Sequence, residues 1–373
     1  MTIIKKLRPF PANSTSLLGS VRRRAGPALL VAAAASLFLA TPALAEGKLV
    51  MASTGGQYER ILREQVFTPF TRDTGIEVVF VSGSNAELWG KAKAMAESGR
   101  FDWDMAELGS GDVSMPARNV LLMDLGQDCA LVSKAKTDGF PDTCHRYGVL
   151  PGVGATLLVV NQDLVQGSLP AGWADFFDVK GFPGPRSLPN FGDPWRVLVG
   201  ALLADGVPAD KVFPLDLDRA FRKLDQIRPD IALWWRTGDQ IQRAIRDQEV
   251  AMTLTWNTRT EFLRKEGIPL KRIWNGATLN LARWAVFKNA PDADNAIRFL
   301  NWYFDHPDVQ VAFGRAAAIS PATKSALALY SPDEQKEQPV YPDNLRQIVP
   351  VDYEWLGQNN DLILERWSTW LAQ

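Results

Sequence analysis

At 373 residues the chain is long enough for two domains with separate cores, and its 41 Lys and Arg nearly balance its 42 Asp and Glu. Removal of residues 1–45, which hold six basic residues and no acid, leaves 35 basic against 42 acidic residues, a formal charge of −7. That balance argues against a nucleic-acid or anionic-membrane surface. The two histidines, His145 and His306, lack ligand-like spacing with the two cysteines, so neither a metal nor a cofactor is expected.

The N-terminal segment reads as a signal peptide. Arg22, Arg23 and Arg24 precede an apolar run from Ala28 to Ala40, and Ala43-Leu44-Ala45 offers a small-x-small cleavage site before Glu46. The apolar run is too short for a comfortable span. Cleavage after Ala45 would place the remaining chain in an oxidising compartment, the periplasm, with no stable membrane insertion. There Cys129 and Cys144 are expected to form a disulfide.

After Glu46 the pattern alternates. Strands are expected at 48–52, 76–81 and 101–107, with helices at 57–71 and 86–98 between them. Short turns at Ser53-Thr54-Gly55-Gly56 and Ser82-Gly83-Ser84-Asn85 separate these elements. Such βαβαβ alternation implies a parallel sheet covered by helices. The second half repeats the style. Strands are expected at 154–161, 185–189, 231–235, 250–255 and 280–287, and helices at 171–177, 195–204, 217–227 and 293–304. The stretch from Tyr353 reads as helical and aromatic.

The stretch Gly238 to Arg259 is the most informative. Gly238-Asp239 reads as a helix start, with the Asp239 side chain able to cap free backbone N–H groups. The buried strand that follows ends on Trp256-Asn257. Ligands of open α/β sheets bind at the carboxyl ends of strands, so an aromatic and an amide there are a candidate grip on a small solute. A Trp closing the core beside a turn Asn is the other reading. The turns after Ser53, Ser82 and Glu107 gather at the same edge of the first sheet, as Trp256 does in the second.

Several segments then resemble the extracellular solute-binding proteins of bacterial ABC importers. These are Phe67–Val78, Gly154–Asn161, Gly172–Asp178, Glu249–Asn257 and the Ile319–Thr323 turn. They are similar to the type II periplasmic binding proteins, most of all to the spermidine/putrescine-binding branch. The resemblance implies an α/β fold of two lobes, each a sheet flanked by helices, with the ligand cleft between them. It places lobe 1 at 46–155 plus 281–350 and lobe 2 at 156–280 plus 351–373, closing by hinge motion at crossovers near residues 152–160 and 277–283. It also implies a monomer that captures a small organic solute and hands it to a permease and an ATPase.

Polyamine binders hold cations with an aromatic box and carboxylates. Trp256 and Asn257 match that pattern, but other positions depart from it. Thr54-Gly55-Gly56 and Ala318 stand where aromatics are expected, Ala282 and Arg196 where acids are expected, and Glu107 where a small hydroxyl residue is usual. The implied pocket mixes Glu107 and Asp193 as anions with Arg196 as a cation. Trp195, Trp235, Trp256 and Trp284 are its possible walls, and Thr54 and Gly55 could offer polar contacts. Core packing is the alternative for Trp195, Trp235 and Trp284. Such a mixture suits a zwitterion or a carboxylated amine as well as a polyamine. A periplasmic sensor with the same fold is an alternative function. A secreted hydrolase is a remote one, since no nucleophile elbow or H-E-x-x-H motif is present.

Overall fold

A computed structural model describes residues 47–190 and 194–373, the side chains of residues 85 and 86 excepted. The expected signal peptide and Asp193 lie outside the described residues. The chain builds two helix-flanked sheets. The first holds β1 (Lys48–Ser53), β2 (Glu77–Ser82), β3 (Met105–Gly109), β4 (Cys144–His145), β5 (Gly148–Val149) and β11 (Ala282–Val286), in the order β2-β1-β3-β11-β5-β4. The second holds β6 (Gly152–Asn161), β7 (Arg186–Pro189), β8 (Ile231–Trp235), β9 (Met252–Trp256) and β10 (Leu270–Asn280), in the order β10-β6-β9-β7-β8. A short β12 (Ser320–Pro321) pairs with the start of β6.

The expected parallel unit is present: β1 runs parallel to both β2 and β3. Its second helix, Asn85–Ser98, starts in a capping box between Ser84 and Glu87 and stops at Gly99 in the left-handed conformation. β6 is buried along its whole length, which is why it reads as a continuous apolar run rather than an alternating one.

Three local expectations change. The helix Gly238–Arg246 is capped by Thr237, whose hydroxyl accepts from the Gln240 amide at 3.2 Å; Asp239 falls inside the first turn instead. Asn257 opens a helix, Asn257–Lys265, rather than a turn. The strand expected at 280–287 is the shorter β11, and β10 before it was not foreseen.

The chain passes between the sheets from β5 to β6 and back from β10 to β11, the latter through Leu281. The Leu281 carbonyl accepts from the Ser110 amide at 2.9 Å, fixing the end of β3 against this passage. A later segment returns to the second sheet, where the Val349 amide donates to the Ala277 carbonyl at 2.9 Å. The C-terminal helix Tyr353–Leu371 follows. Its Trp367 and Trp370 pack edge-on against Trp234, with ring centroids 5.8 and 5.6 Å away. Large aromatic areas buried in this way anchor the helix.

Candidate functional site

A cavity of about 620 Å³ lies where strand ends of both sheets meet the C-terminal helix. The first sheet contributes Thr54 and the turn Gly109 to Asp112, followed by Met115 and Arg118. The second contributes Trp195, Arg196 and Trp256. Asn280, Leu281 and Ala282 of the passage between sheets form the back, and Tyr353, Leu356, Gly357 and Asn360 close one side.

Trp195 and Arg196 reach the cavity because they begin the helix Trp195–Ala204, which packs closely on Trp173. A Cβ at Gly200 would lie 2.4 Å from the Trp173 ring, so only glycine permits that approach. Trp173 is itself fixed by its indole N–H, which donates to the Gly276 carbonyl at 3.2 Å. The Arg196 guanidinium sits 4.2 Å from the centre of the Trp195 ring, a cation–π contact within the chain. Its Nη1 also donates to Thr278 Oγ1 at 2.5 Å and to the Leu279 carbonyl at 3.3 Å.

Trp256 is half-buried. Its ring stands edge-on to Trp235, with centroids 5.3 Å apart and planes at 75°. One side of the ring is therefore core and the other lines the cavity. On the opposite wall Asp112 pairs with Arg118, and the Arg118 guanidinium lies 4.8 Å over Trp89. Burial lowers the pKa of Arg118.

Glu107 lies deeper, on β3 beneath the Thr54 turn. Its Oε2 accepts from Ser53 Oγ at 2.8 Å and its Oε1 from the Tyr58 hydroxyl at 2.9 Å. Burial raises its pKa, against the pull of these two donors. The Tyr58 hydroxyl is in turn pushed well above its usual range, by burial first and by Glu107 second.

The bacterial extracellular solute-binding protein family matches residues 65–342. This chain belongs to that family. The γ-aminobutyric acid-binding protein of Pseudomonas aeruginosa is 31% identical over 335 residues, covering 87% of this chain and 91% of that protein. Among solved structures, the periplasmic binding protein AttC of Agrobacterium tumefaciens, in an open unliganded conformation, is 39% identical with a TM-score of 0.75. It aligns with 87% of this chain and 100% of its own. A γ-aminobutyric acid receptor structure is 30% identical, covers 87% of this chain and 97% of its own, and has a TM-score of 0.77. Solute-binding proteins of this kind bind small solutes and work with permease and ATPase subunits. Among the described residues, no helix is long and apolar enough to cross a membrane.

Of the contact residues expected from the sequence, Thr54, Trp195, Arg196 and Trp256 line the cavity of this solute-binding protein, as does Ala282. Gly55 and Glu107 sit beside it without lining it. Trp235 and Trp284 are fully buried; Trp284 packs between Phe299 and Tyr303 under the first sheet. Asp239 is exposed and pairs with Arg259 at 3.1 Å. Asn257 is a structural tie: its Oδ1 accepts from the Ala155 amide at 2.7 Å, and its Nδ2 donates to the Ala318 carbonyl at 2.9 Å. That bond holds Ala318 in a left-handed conformation, φ 55°.

Asn257 also faces a second cavity of about 630 Å³. Charged groups there pair with one another: Arg264 with Glu337 at 2.7 Å, Arg272 with Glu261 at 2.5 Å, and Arg315 with Glu334 at 3.0 Å. Size does not separate the two cavities, but chemistry does. Asp112, Arg118, Asn280 and Tyr353 carried no signal in the sequence, because tertiary crossing alone brings their segments together. Among the described residues, no three His, Cys, Asp or Glu side chains are grouped to hold a metal ion. The expected disulfide joins Cys129 and Cys144, with Cα atoms 5.9 Å apart.

Proposed function

We propose that this protein captures a small carboxylated amine of the γ-aminobutyrate type in the periplasm, rather than a polyamine, and passes it to an ABC permease and its ATPase. The observation that carries the reading is the Arg196 guanidinium against the Trp195 ring in the cavity wall. A polyamine site needs aromatic faces open to ligand cations. Here a face of Trp195 already holds a cation from the chain, and that cation suits a ligand carboxylate. Two relatives near 30% identity are described by γ-aminobutyric acid, which supports the same class.

On this reading the protein acts as a monomer without catalysis, exported by the cleaved segment 1–45. Lobes at 46–155 plus 281–350 and at 156–280 plus 351–373 close by hinge motion over the solute. Thermal shift on the apo protein tests the ligand class, because binding to the native state alone stabilises by about 2.7 kcal/mol at a hundredfold excess over Kd. γ-Aminobutyrate is expected to raise Tm by several degrees while putrescine and spermidine leave it unmoved, and Arg196→Met is expected to abolish the shift. Stabilisation by putrescine with no response to γ-aminobutyrate would refute the reading.

A further inference from the structure

We propose that Glu107 is the counter-charge for the ligand's ammonium group, and that it makes the site prefer amino acids over plain carboxylates. The proposal rests on the carboxylated-amine reading above and names the residue that reads the other end of the ligand.

Placement is the first argument. Ser53, the last residue of β1, lies beside Glu107 in the middle of β3, and the residue that follows β1, Thr54, lines the cavity. Gly109, two residues on and so on the same face of β3, lines it as well. Glu107 itself sits beside the cavity rather than in its lining, and it retains partial exposure despite its depth.

Charge is the second argument. Both carboxylate oxygens accept from neutral hydroxyls, Ser53 and Tyr58. Among the described residues, no Lys or Arg forms a hydrogen bond or an ion pair with Glu107, and the groups that pull its pKa down are all neutral. The other groups facing it are the indole of Trp284 from β11 and the phenol of Tyr303 from the helix Ala293–Asp305. A deep carboxylate without a cation is costly to the fold. Beside a ligand cavity, a ligand cation is the partner that relieves that cost. The other acid of this wall, Asp112, is already closed by Arg118.

The two hydroxyl neighbours make Glu107→Gln a mild change. Each can donate or accept, so an amide fits the same pair of contacts without the charge. Calorimetric titration with γ-aminobutyrate and with butyrate, which lacks only the amine, reads the effect. Wild type is expected to favour γ-aminobutyrate by at least about tenfold, as a charge-assisted contact gives. In Glu107→Gln that preference is expected to collapse to about twofold or less, while butyrate affinity and apo Tm do not fall. A purely structural acid would lower Tm and weaken both ligands together.

The wild type offers a second measurement should the variant fold poorly. Burial raises the Glu107 pKa, so the charge is lost as pH falls from neutrality, and the preference should narrow with it at a pH above that of an ordinary glutamate. A wild-type preference retained in Glu107→Gln, or one that does not narrow as pH falls through the acid range, overturns the assignment to Glu107. A wild type that binds neither compound overturns the carboxylated-amine reading itself.

Discussion

Trp256→Ala separates a ligand wall from a core residue, because the structure gives this ring both roles in measurable shares. Truncating a fully buried Trp costs about 3–5 kcal/mol. Trp256 has one side on the cavity, so about half of that, roughly 2 kcal/mol, is expected for the apo protein. The edge-to-face contact with Trp235 accounts for about 0.5–1.5 kcal/mol of it. Differential scanning calorimetry should then show Tm lower by roughly 3 °C. Removing an aromatic wall from a desolvated pocket should also weaken γ-aminobutyrate by about thirtyfold or more in a calorimetric titration. Trp256→Phe keeps an aromatic face and an edge for Trp235, so it should recover most of both losses. Affinity within twofold of wild type in Trp256→Ala, beside the full loss of Tm, would refute the wall and leave only the core residue.

Two further outcomes test the frame around the site. Replacing Cys129 and Cys144 with Ala opens a bridge across 15 residues, which should cost about 3 kcal/mol in a urea titration; ligand affinity should stay within twofold, since neither residue lines the cavity. Asp128 and Cys129 both hold left-handed backbone, φ 53° and 54°, so a bridge-free variant as stable as wild type would mean that the bridge does not restrain this strained turn. His145 gives a pH signature. Burial depresses its pKa to about 4 from 6.5, so below pH 6.5 the unfolded chain takes up a proton that the folded chain refuses. Stability should fall from about pH 6.5 toward about pH 4, and His145→Gln should flatten that part of a Tm profile; an unchanged slope in the variant would assign the acid sensitivity to other groups.

The fold was legible where local pattern and tertiary role agree. β6 announced itself as an unbroken apolar run because it is buried on both faces. β10 escaped because its register against β6 shifts between Ile273 and Thr278, with Gly276 at φ 79° in the gap, which interrupts the alternation that marks a strand. The site was legible in part for the same reason. Trp256 could be placed by its position at a strand end. Trp195, Trp235 and Trp284 could not be told apart, since one residue type serves cavity and core alike and only packing decides. Asn257 matched the expected pattern beside Trp256, yet its amide is spent on Ala155 and Ala318 within the chain. Asp112, Arg118 and Tyr353 were invisible because the C-terminal helix meets Ser110–Ser114 only through tertiary packing of segments far apart in sequence.

The departures from a polyamine box are coherent once their positions are known. Arg196 occupies a site where the resemblance calls for an acid, and the structure sets it on the neighbouring Trp ring rather than out in solvent. Glu107 occupies a site where a small hydroxyl is usual, and Ser53 and Tyr58 turn their hydroxyls toward it. One change adds a cation on the second-sheet side of the cleft and the other adds an anion on the first-sheet side. On the carboxylated-amine reading the two changes oppose the two charges of one zwitterion, so the ligand's two ends would be read by different lobes. A solute read in that way favours closure over the open form, because only the closed cleft brings both of its charges into contact at once.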